Sequence, residues 1–274
     1  MSRDRCSCLS GAGSERTGRE SRSSCLAVLV MNMLVYPLLI LQILLFTILA
    51  PAVLPLSVII ARRPLPEMVR FFIWVYGRLW FLIMSPFVSF RKSGLSEDRF
   101  PKPCIIVINH LSFFDIFCMG ALPFSNVVFT VRAWPFRMFW YAPFMRLAGY
   151  VDMETLGLEK ALKRCQHHLE QNASIVFFPE GHRSRDGKLA RFYSGAFKLS
   201  TRSGVPVVPV CITGTDQLLP PGRLVMSPAV VGIQALEAVS PANYAGETAH
   251  ADMRKQIKKL MTEAISTGQS KVFL

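Results

Sequence analysis

From Ser23 to Ala61 the chain carries no charged residue, while Arg5, Arg16, Arg19 and Arg22 precede this run and Arg62 and Arg63 follow it. Nothing else in the sequence limits the fold as strongly, because water tolerates so long an apolar stretch only when lipid or protein covers it. A membrane-crossing helix needs about 20 apolar residues. This run is too long for one crossing and barely enough for two, and Pro37, Pro51 and Pro55 interrupt it. Arginines at both ends favour placing both ends on the cytoplasmic side. The expectation is therefore a helical hairpin or a re-entrant pair, with the chain held at the cytoplasmic membrane. A secretory signal is the competing reading, since Ala50-Pro51-Ala52 meets the loosest cleavage pattern. The apolar stretch before it is too long for a signal core, and a proline between the alanines is unfavourable.

The flanks extend this picture. Residues 1–24, rich in Ser, Gly and Arg, read as a disordered leader. From Pro66 to Phe87 the polar residues Glu67, Arg70, Arg78 and Ser85 gather on one helical face, with Trp74, Tyr76 and Trp80 suited to a headgroup region. An interfacial helix is expected there, with a buried helix of the following domain as the competing assignment. A formal charge of +13 over 274 residues, joined to so much apolar sequence, points to a membrane surface. Nucleic-acid binding is not expected, because aromatics sit inside apolar runs such as Phe71-Phe72-Ile73-Trp74 and no binding module is present. Seven cysteines, an odd number without metal-ligand spacing, read as reduced thiols in a cytoplasmic setting. Cys104, Cys165 and Cys211 fall at core positions, and Cys25 reads as an unmodified thiol rather than a lipidated one. His167 and His168, neighbours on one helix, point about 100° apart and make a poor pair of metal ligands.

Beyond Phe87 the pattern changes to alternating strands and helices. Strands are expected at 88–91, 104–108, 127–130, 174–178, 207–212 and 230–233. Helices are expected at 113–121, 136–147, 158–171 and, most cleanly, around the stripe Met253, Ile257, Leu260, Met261, Ala264 and Ile265. This order predicts an α/β domain over residues 88–274 with a mixed, largely parallel sheet flanked by helices, preceded by membrane-embedded and interfacial helices over residues 25–87. Val205-Pro206-Val207-Val208-Pro209-Val210 carries two prolines, which predicts an edge or irregular strand.

Chemistry concentrates in Asn109-His110-Leu111-Ser112-Phe113-Phe114-Asp115. A histidine leaving a strand end, with a carboxylate in the first turn of the next helix, lets the carboxylate hold one imidazole nitrogen and leaves the other free to take a proton. Taken alone, these seven residues favour a capping box of Ser112 and Asp115, with His110 an ordinary loop residue; the rest of the chain shifts the reading. Phe178-Pro179-Glu180-Gly181-His182-Arg183-Ser184-Arg185 follows another short strand, and Arg132 ends a third. Arginine forks at strand ends of an α/β sheet suit a phosphate.

In this order, His110-x4-Asp115, Arg132, Phe178-Pro179-Glu180-Gly181-x-Arg183-Ser184 and Val205–Val210, the motifs resemble the glycerolipid acyltransferase family of the PlsC type, typified by 1-acylglycerol-3-phosphate acyltransferases. The resemblance covers roughly Val88 to Thr215. It implies that His110 and Asp115 are catalytic, that Arg132 and Arg183 hold the acceptor's phosphate, and that Glu180 and Gly181 shape the same pocket. It also implies a membrane-bound enzyme without metal or cofactor, taking acyl-CoA or acyl carrier protein as co-substrate. Two departures fall near the acceptor: His182 stands where the family usually has Thr, and Tyr193 where a Lys is common.

The implied reaction is acyl transfer to the free hydroxyl of a lysophospholipid, first of all 1-acylglycerol 3-phosphate. Other lysophospholipids, lyso-ornithine lipid and glycerol 3-phosphate remain alternative acceptors, and a noncatalytic lipid-binding scaffold is the alternative of another class. Ser112 as an acyl-accepting nucleophile is disfavoured, because the pattern Gly-x-Ser-x-Gly is absent around it.

Overall fold

The computed structural model describes residues 12–184 and 186–272. The apolar run forms one continuous helix, α1 (Ala12–Ala61), with all three prolines inside it. Cys25–Ala61 is long and apolar enough to cross a membrane. The expected hairpin within residues 23–61 is therefore corrected to a single helix. The hairpin that exists is formed by α1 with α2 (Leu65–Met84), and Arg62 and Arg63 lie at its turn. Of the expected leader, residues 1–11 lie outside the described residues, and from Ala12 the chain is helical rather than unstructured. Extending an existing helix costs little once its nucleus is present, so the apolar run carries the helix backwards into sequence that would not start one.

The expected interfacial placement of α2 also changes, towards its competing assignment. Met68, Val69, Arg70, Gly77, Trp80 and Met84 are buried, and Trp74 donates its indole N–H to the Leu122 carbonyl at 2.9 Å. Gly77 meets Gly120 so closely that a Cβ on Gly120 would lie 2.6 Å from the Gly77 carbonyl carbon. Two glycines at the crossing let the helix backbone press onto the domain. One apolar core thus joins Met31 and Val35 of α1, Val69 and Trp80 of α2, and the sheet.

The domain continues with β1 (Val88–Ser93), β2 (Ile105–Ile108), α3 (Asp115–Cys118), β3 (Val127–Val131), α4 (Ala142–Leu147), β4 (Val151–Asp152) and α5 (Met153–Leu156). Then come α6 (Leu158–Glu170), β5 (Ser174–Phe177), α7 (Gly195–Ser203), β6 (Val207–Thr213), α8 (Thr215–Leu218), β7 (Ala229–Ala235) and α9 (Ala249–Val272). The seven strands form one sheet in the order β1-β7-β6-β2-β5-β3-β4, parallel throughout except for β6 against β7. The expected α/β class with a mixed, largely parallel sheet is therefore present. Every residue of β2 and β5 is buried, as central parallel strands covered on both faces require. Helices α6, α7 and α9 pack together and reach β5, β2 and β6 respectively, while α2 covers the segment around α3. The α6 stripe Ala161, Leu162, Cys165 and Leu169 is buried as its periodicity demands, and so are Met253, Ile257 and Met261 of α9.

Of the two placements expected for the two-proline strand, the edge is not the one observed: β6 lies between β7 and β2, and its ladder with β7 is irregular. The reason lies in its antiparallel neighbour. The β7 ladder ends at the pair Val210–Ala235 and contact resumes only at Val207–Val239. Pro209 lies in this interruption: its carbonyl accepts from Leu236 N at 2.8 Å, and having no N–H it returns no bond to that strand. Pro206 precedes the strand and only accepts, from Ile105 N at 2.9 Å.

Candidate active site

Neighbouring strands β2, β5, β3 and β4 run parallel, so their carboxyl ends open on one edge of the sheet. His110 follows β2, the segment Phe178–Ser184 follows β5, Arg132 follows β3, and α5 follows β4. The expected site residues, far apart in sequence, are thereby aligned along the edge where α/β sheets bind ligands.

Asn109 sets the exit of the chain from β2. Its buried side-chain amide donates to Ile212 O at 2.8 Å and accepts from Ile212 N at 2.7 Å, so the side chain replaces a ladder partner and the backbone is released to turn. His110 then points its Nδ1 at Asp115 Oδ2, 2.7 Å away. The same oxygen accepts from Leu111 N at 2.6 Å and Ser112 N at 2.8 Å, and the other, Oδ1, accepts from the Thr215 hydroxyl at 2.6 Å. Asp115 is fully buried, and an ionised carboxylate only accepts, so Nδ1 carries the imidazole proton and Nε2 is left as the basic nitrogen. The His110 side chain retains 18% of its exposure, enough for a reacting group to approach, and its ring lies 4.5 Å from that of Phe178 between centroids.

Half of the expected capping box is present, with Asp115 reaching back to Ser112 N. The other half differs: the Ser112 hydroxyl donates to Leu219 O at 2.8 Å and is fully buried, which removes it from reach as a nucleophile. Thr215 went unnoticed in the sequence, because no local pattern links it to a carboxylate 100 residues earlier. It starts α8 directly after Gly214, whose φ of +81° and contact with Val230 O, 2.0 Å from a would-be Cβ, demand glycine at that position.

Glu180 is buried and bridges two segments: Oε1 accepts from His110 N at 2.9 Å and Oε2 from Ala190 N at 2.7 Å. Burial pushes its carboxyl above the ordinary glutamate value, while the N–H groups of Ala190 and His110 pull it back. With Ser184 N donating to His110 O at 2.8 Å, the Glu180 loop is fixed against the histidine. Gly181 has φ +69° and the ring of Tyr193 rests on it, 3.0 Å from where a Cβ would stand. Tyr193 thus packs on the loop that carries the motif.

Arg132 donates its Nε–H to Glu154 Oε1 at 2.5 Å and an Nη1–H to His182 Nδ1 at 3.1 Å. Arg183 is exposed at the same edge, and Arg185 lies outside the described residues. Beside this polar row an apolar cavity of about 350 Å³ opens between the α1–α2 hairpin and the segment carrying Asp115. Its walls include Ala50 and Val53 of α1, Phe72 of α2, and Phe113 and Phe117, which flank Asp115 in sequence. That volume lies within the usual range for small-molecule sites. Among the described residues no group of His, Cys, Asp and Glu is arranged to hold a metal ion.

The site is thus a buried carboxylate holding a histidine at the carboxyl edge of an α/β sheet, with strand-end arginines along the same edge and an apolar cavity against the segment that carries the carboxylate. Residues 92–213 match the acyltransferase family profile. Over this stretch the chain is similar to glycerolipid acyltransferases. The chain is 35% identical over 156 residues to the chloroplastic 1-acyl-sn-glycerol-3-phosphate acyltransferase BAT2 of Brassica napus, covering 53% of this chain and 44% of that protein. It is 32% identical over 199 residues to a 1-acyl-sn-glycerol-3-phosphate acyltransferase of Chlamydomonas reinhardtii, covering 67% of this chain and 57% of the relative. The chain thus spans about half the length of the curated relatives it matches. The crystal structure of PlsC, the 1-acyl-sn-glycerophosphate acyltransferase of Thermotoga maritima, shares the fold with a TM-score of 0.67 at 24% identity, covering 85% of this chain and 95% of that one.

Proposed function

We propose that the chain is a membrane-bound O-acyltransferase that moves a fatty acyl group from acyl-CoA or acyl carrier protein to 1-acylglycerol 3-phosphate, giving phosphatidic acid. The observation that carries this reading is the His110–Asp115 pair with Nε2 left basic on the same sheet edge as Arg132 and Arg183. In this mechanism Nε2 of His110 removes the proton from the acceptor hydroxyl, and that oxygen attacks the thioester carbonyl carbon. Asp115 holds the tautomer and stabilises the imidazolium. The tetrahedral intermediate then expels the thiolate, which recovers the proton from the imidazolium, so an ester bond forms as the C–S bond breaks. General-base assistance of this kind contributes ~10² to 10⁴ in rate. The donor arrives activated as a thioester, so the chemistry requires no cofactor and no covalent enzyme intermediate. Arg132 and Arg183 receive the acceptor's phosphate, and Glu180 and Gly181 shape that pocket by fixing the loop between it and His110. Membrane lipid covers the outer face of α1, the active site faces the cytoplasm, and the apolar cavity takes an acyl chain.

The test is thioester release by the full chain in lipid bilayers, with acyl-CoA or acyl carrier protein as donor, with and without lysophosphatidic acid. Release that depends on the acceptor and yields phosphatidic acid supports the proposal. Acceptor-independent release would mean a hydrolase, and no release with any lysophospholipid, lyso-ornithine lipid or glycerol 3-phosphate would leave the scaffold reading.

A further inference from the structure

Glu154 was not among the residues singled out in the sequence, yet it makes the shortest contact of the acceptor edge. The register explains how it arrives. Strand β4 pairs in parallel with β3 through Thr130–Val151 and Val131–Asp152, so the residues that follow, Arg132 and Met153–Glu154, emerge side by side. Asp152 caps α5 by accepting from Glu154 N at 2.9 Å and Thr155 N at 3.0 Å, which fixes the Glu154 backbone. The two carboxylate oxygens then divide their work, Oε1 on Arg132 Nε and Oε2 on Ala133 N at 2.9 Å. From the other side, β5 delivers His182, whose Nδ1 accepts from Arg132 Nη1.

The guanidinium has five N–H donors in a rigid fork. Glu154 takes the one on Nε and His182 takes one on Nη1, so three donors remain, one on Nη1 and two on Nη2, for the oxygens of a phosphate. Because Nδ1 of His182 accepts, its ring proton sits on Nε2, a further donor on the same side chain. A long arginine side chain, 48% exposed, would otherwise sample many rotamers, and holding it at two points removes the entropy cost of ordering it on binding.

We propose that Glu154 and His182 are positioning residues that brace Arg132 so that its remaining Nη donors read the terminal phosphate monoester of the acceptor. This rests on the function proposed above. Glu154 does not compete with the acceptor in this arrangement, since its contacts are with Nε and the Ala133 backbone and leave those donors open.

The experiment measures kcat and KM for lysophosphatidic acid and for the acyl donor with the full chain in bilayers, for wild type, Glu154→Ala, His182→Phe and His182→Gln. Loss of one brace is expected to raise KM for lysophosphatidic acid about fivefold, the scale of an exposed charged contact. The expected kcat stays within about twofold, and KM for the donor and the melting temperature are unchanged, because the braces touch neither His110 nor the core. His182→Gln, whose side-chain oxygen can accept from Nη1, should restore the wild-type KM. An unchanged KM in Glu154→Ala and His182→Phe overturns the brace. A lowered KM in Glu154→Ala would instead make that carboxylate a competitor of the phosphate, and a fall in kcat alone would place both residues outside acceptor binding. A wild-type enzyme without dependence on lysophosphatidic acid would remove the function reading itself, and this proposal with it.

Discussion

Asp115 receives four donors, His110 Nδ1–H, two backbone N–H groups and the Thr215 hydroxyl, in a fully buried position. Thr215 therefore bears on His110 through the carboxylate it secures, and in the proposed reaction on the base. Thr215→Val keeps the shape but leaves Oδ1 without a partner, and a buried acceptor left unpaired costs about 1–3 kcal/mol. The expected result is a lower melting temperature and a kcat reduced about tenfold, with KM for both substrates near wild type. Glu180 gives a pH signature. Its carboxyl sits above the ordinary value because of burial, so the stability it contributes is present below the unfolded-state pKa and is lost as pH rises through the folded one. A Glu180→Gln protein does not titrate there. The wild type's thermal-stability advantage over Glu180→Gln should shrink as pH is raised from the acid range to neutrality, as denaturation scans at stepped pH would show. The His110–Asp115 contact was legible because it needs only local chain, but its reading as more than a helix cap rested on the order of the other motifs. Thr215 and Glu154 were not, because their contacts cross the sheet and arise from strand order.

At the scale of elements, the close contact of α2 with the domain depends on Gly77 and Gly120. A Cβ on Gly120 would lie 2.6 Å and 2.8 Å from Gly77 and Arg78 backbone atoms, whereas one on Gly77 would approach nothing nearer than 3.2 Å. Gly120→Ala must push the helix away, at a cost on the scale of core overpacking, about 1–3 kcal/mol. Gly77→Ala should be clearly milder, and equal losses of melting temperature in the two variants would show that the contact does not hold the hairpin. The strands of the sheet were legible because buried parallel strands write themselves as short apolar runs, as Ile105–Ile108 does. The central place of β6 was not, since Pro209 is tolerated through a gap in the neighbouring strand that no property of β6 itself records. The two-residue β4 and the short α5 escaped for a similar reason: neither is long enough to show a period.

Considered as a whole, the molecule packs its apolar N-terminal helix onto the α/β domain instead of attaching it as a separate anchor. Asn32, inside the apolar run, donates to Met226 O at 2.7 Å and accepts from Met226 N at 2.9 Å, and Tyr36 bonds to Leu224 O, which ties α1 to the loop after α8. The apolar cavity takes its walls from α1, α2, the segment around Asp115 and the stretch from Trp134 to Phe144. Composition announced a membrane-bound chain, but charge bias and hydropathy say nothing about which helix pairs with which, so the partner of α1 had to be read from packing. If the cavity holds an acyl chain, Ala50→Phe should shorten it. The predicted outcome is a lower ratio of hexadecanoyl to decanoyl donor use in competition assays, with total activity on the shorter donor retained, and an unchanged ratio would place the acyl chain elsewhere.

The central claim is that Nε2 of His110 is the base for acyl transfer to a lysophospholipid hydroxyl. Its most direct test is the rate of phosphatidic acid formation by wild type and His110→Ala in the same bilayers at saturating donor and lysophosphatidic acid. A fall of ~10² to 10⁴ in kcat, with the melting temperature preserved, is the predicted result. Acylation continuing undiminished in His110→Ala would contradict it.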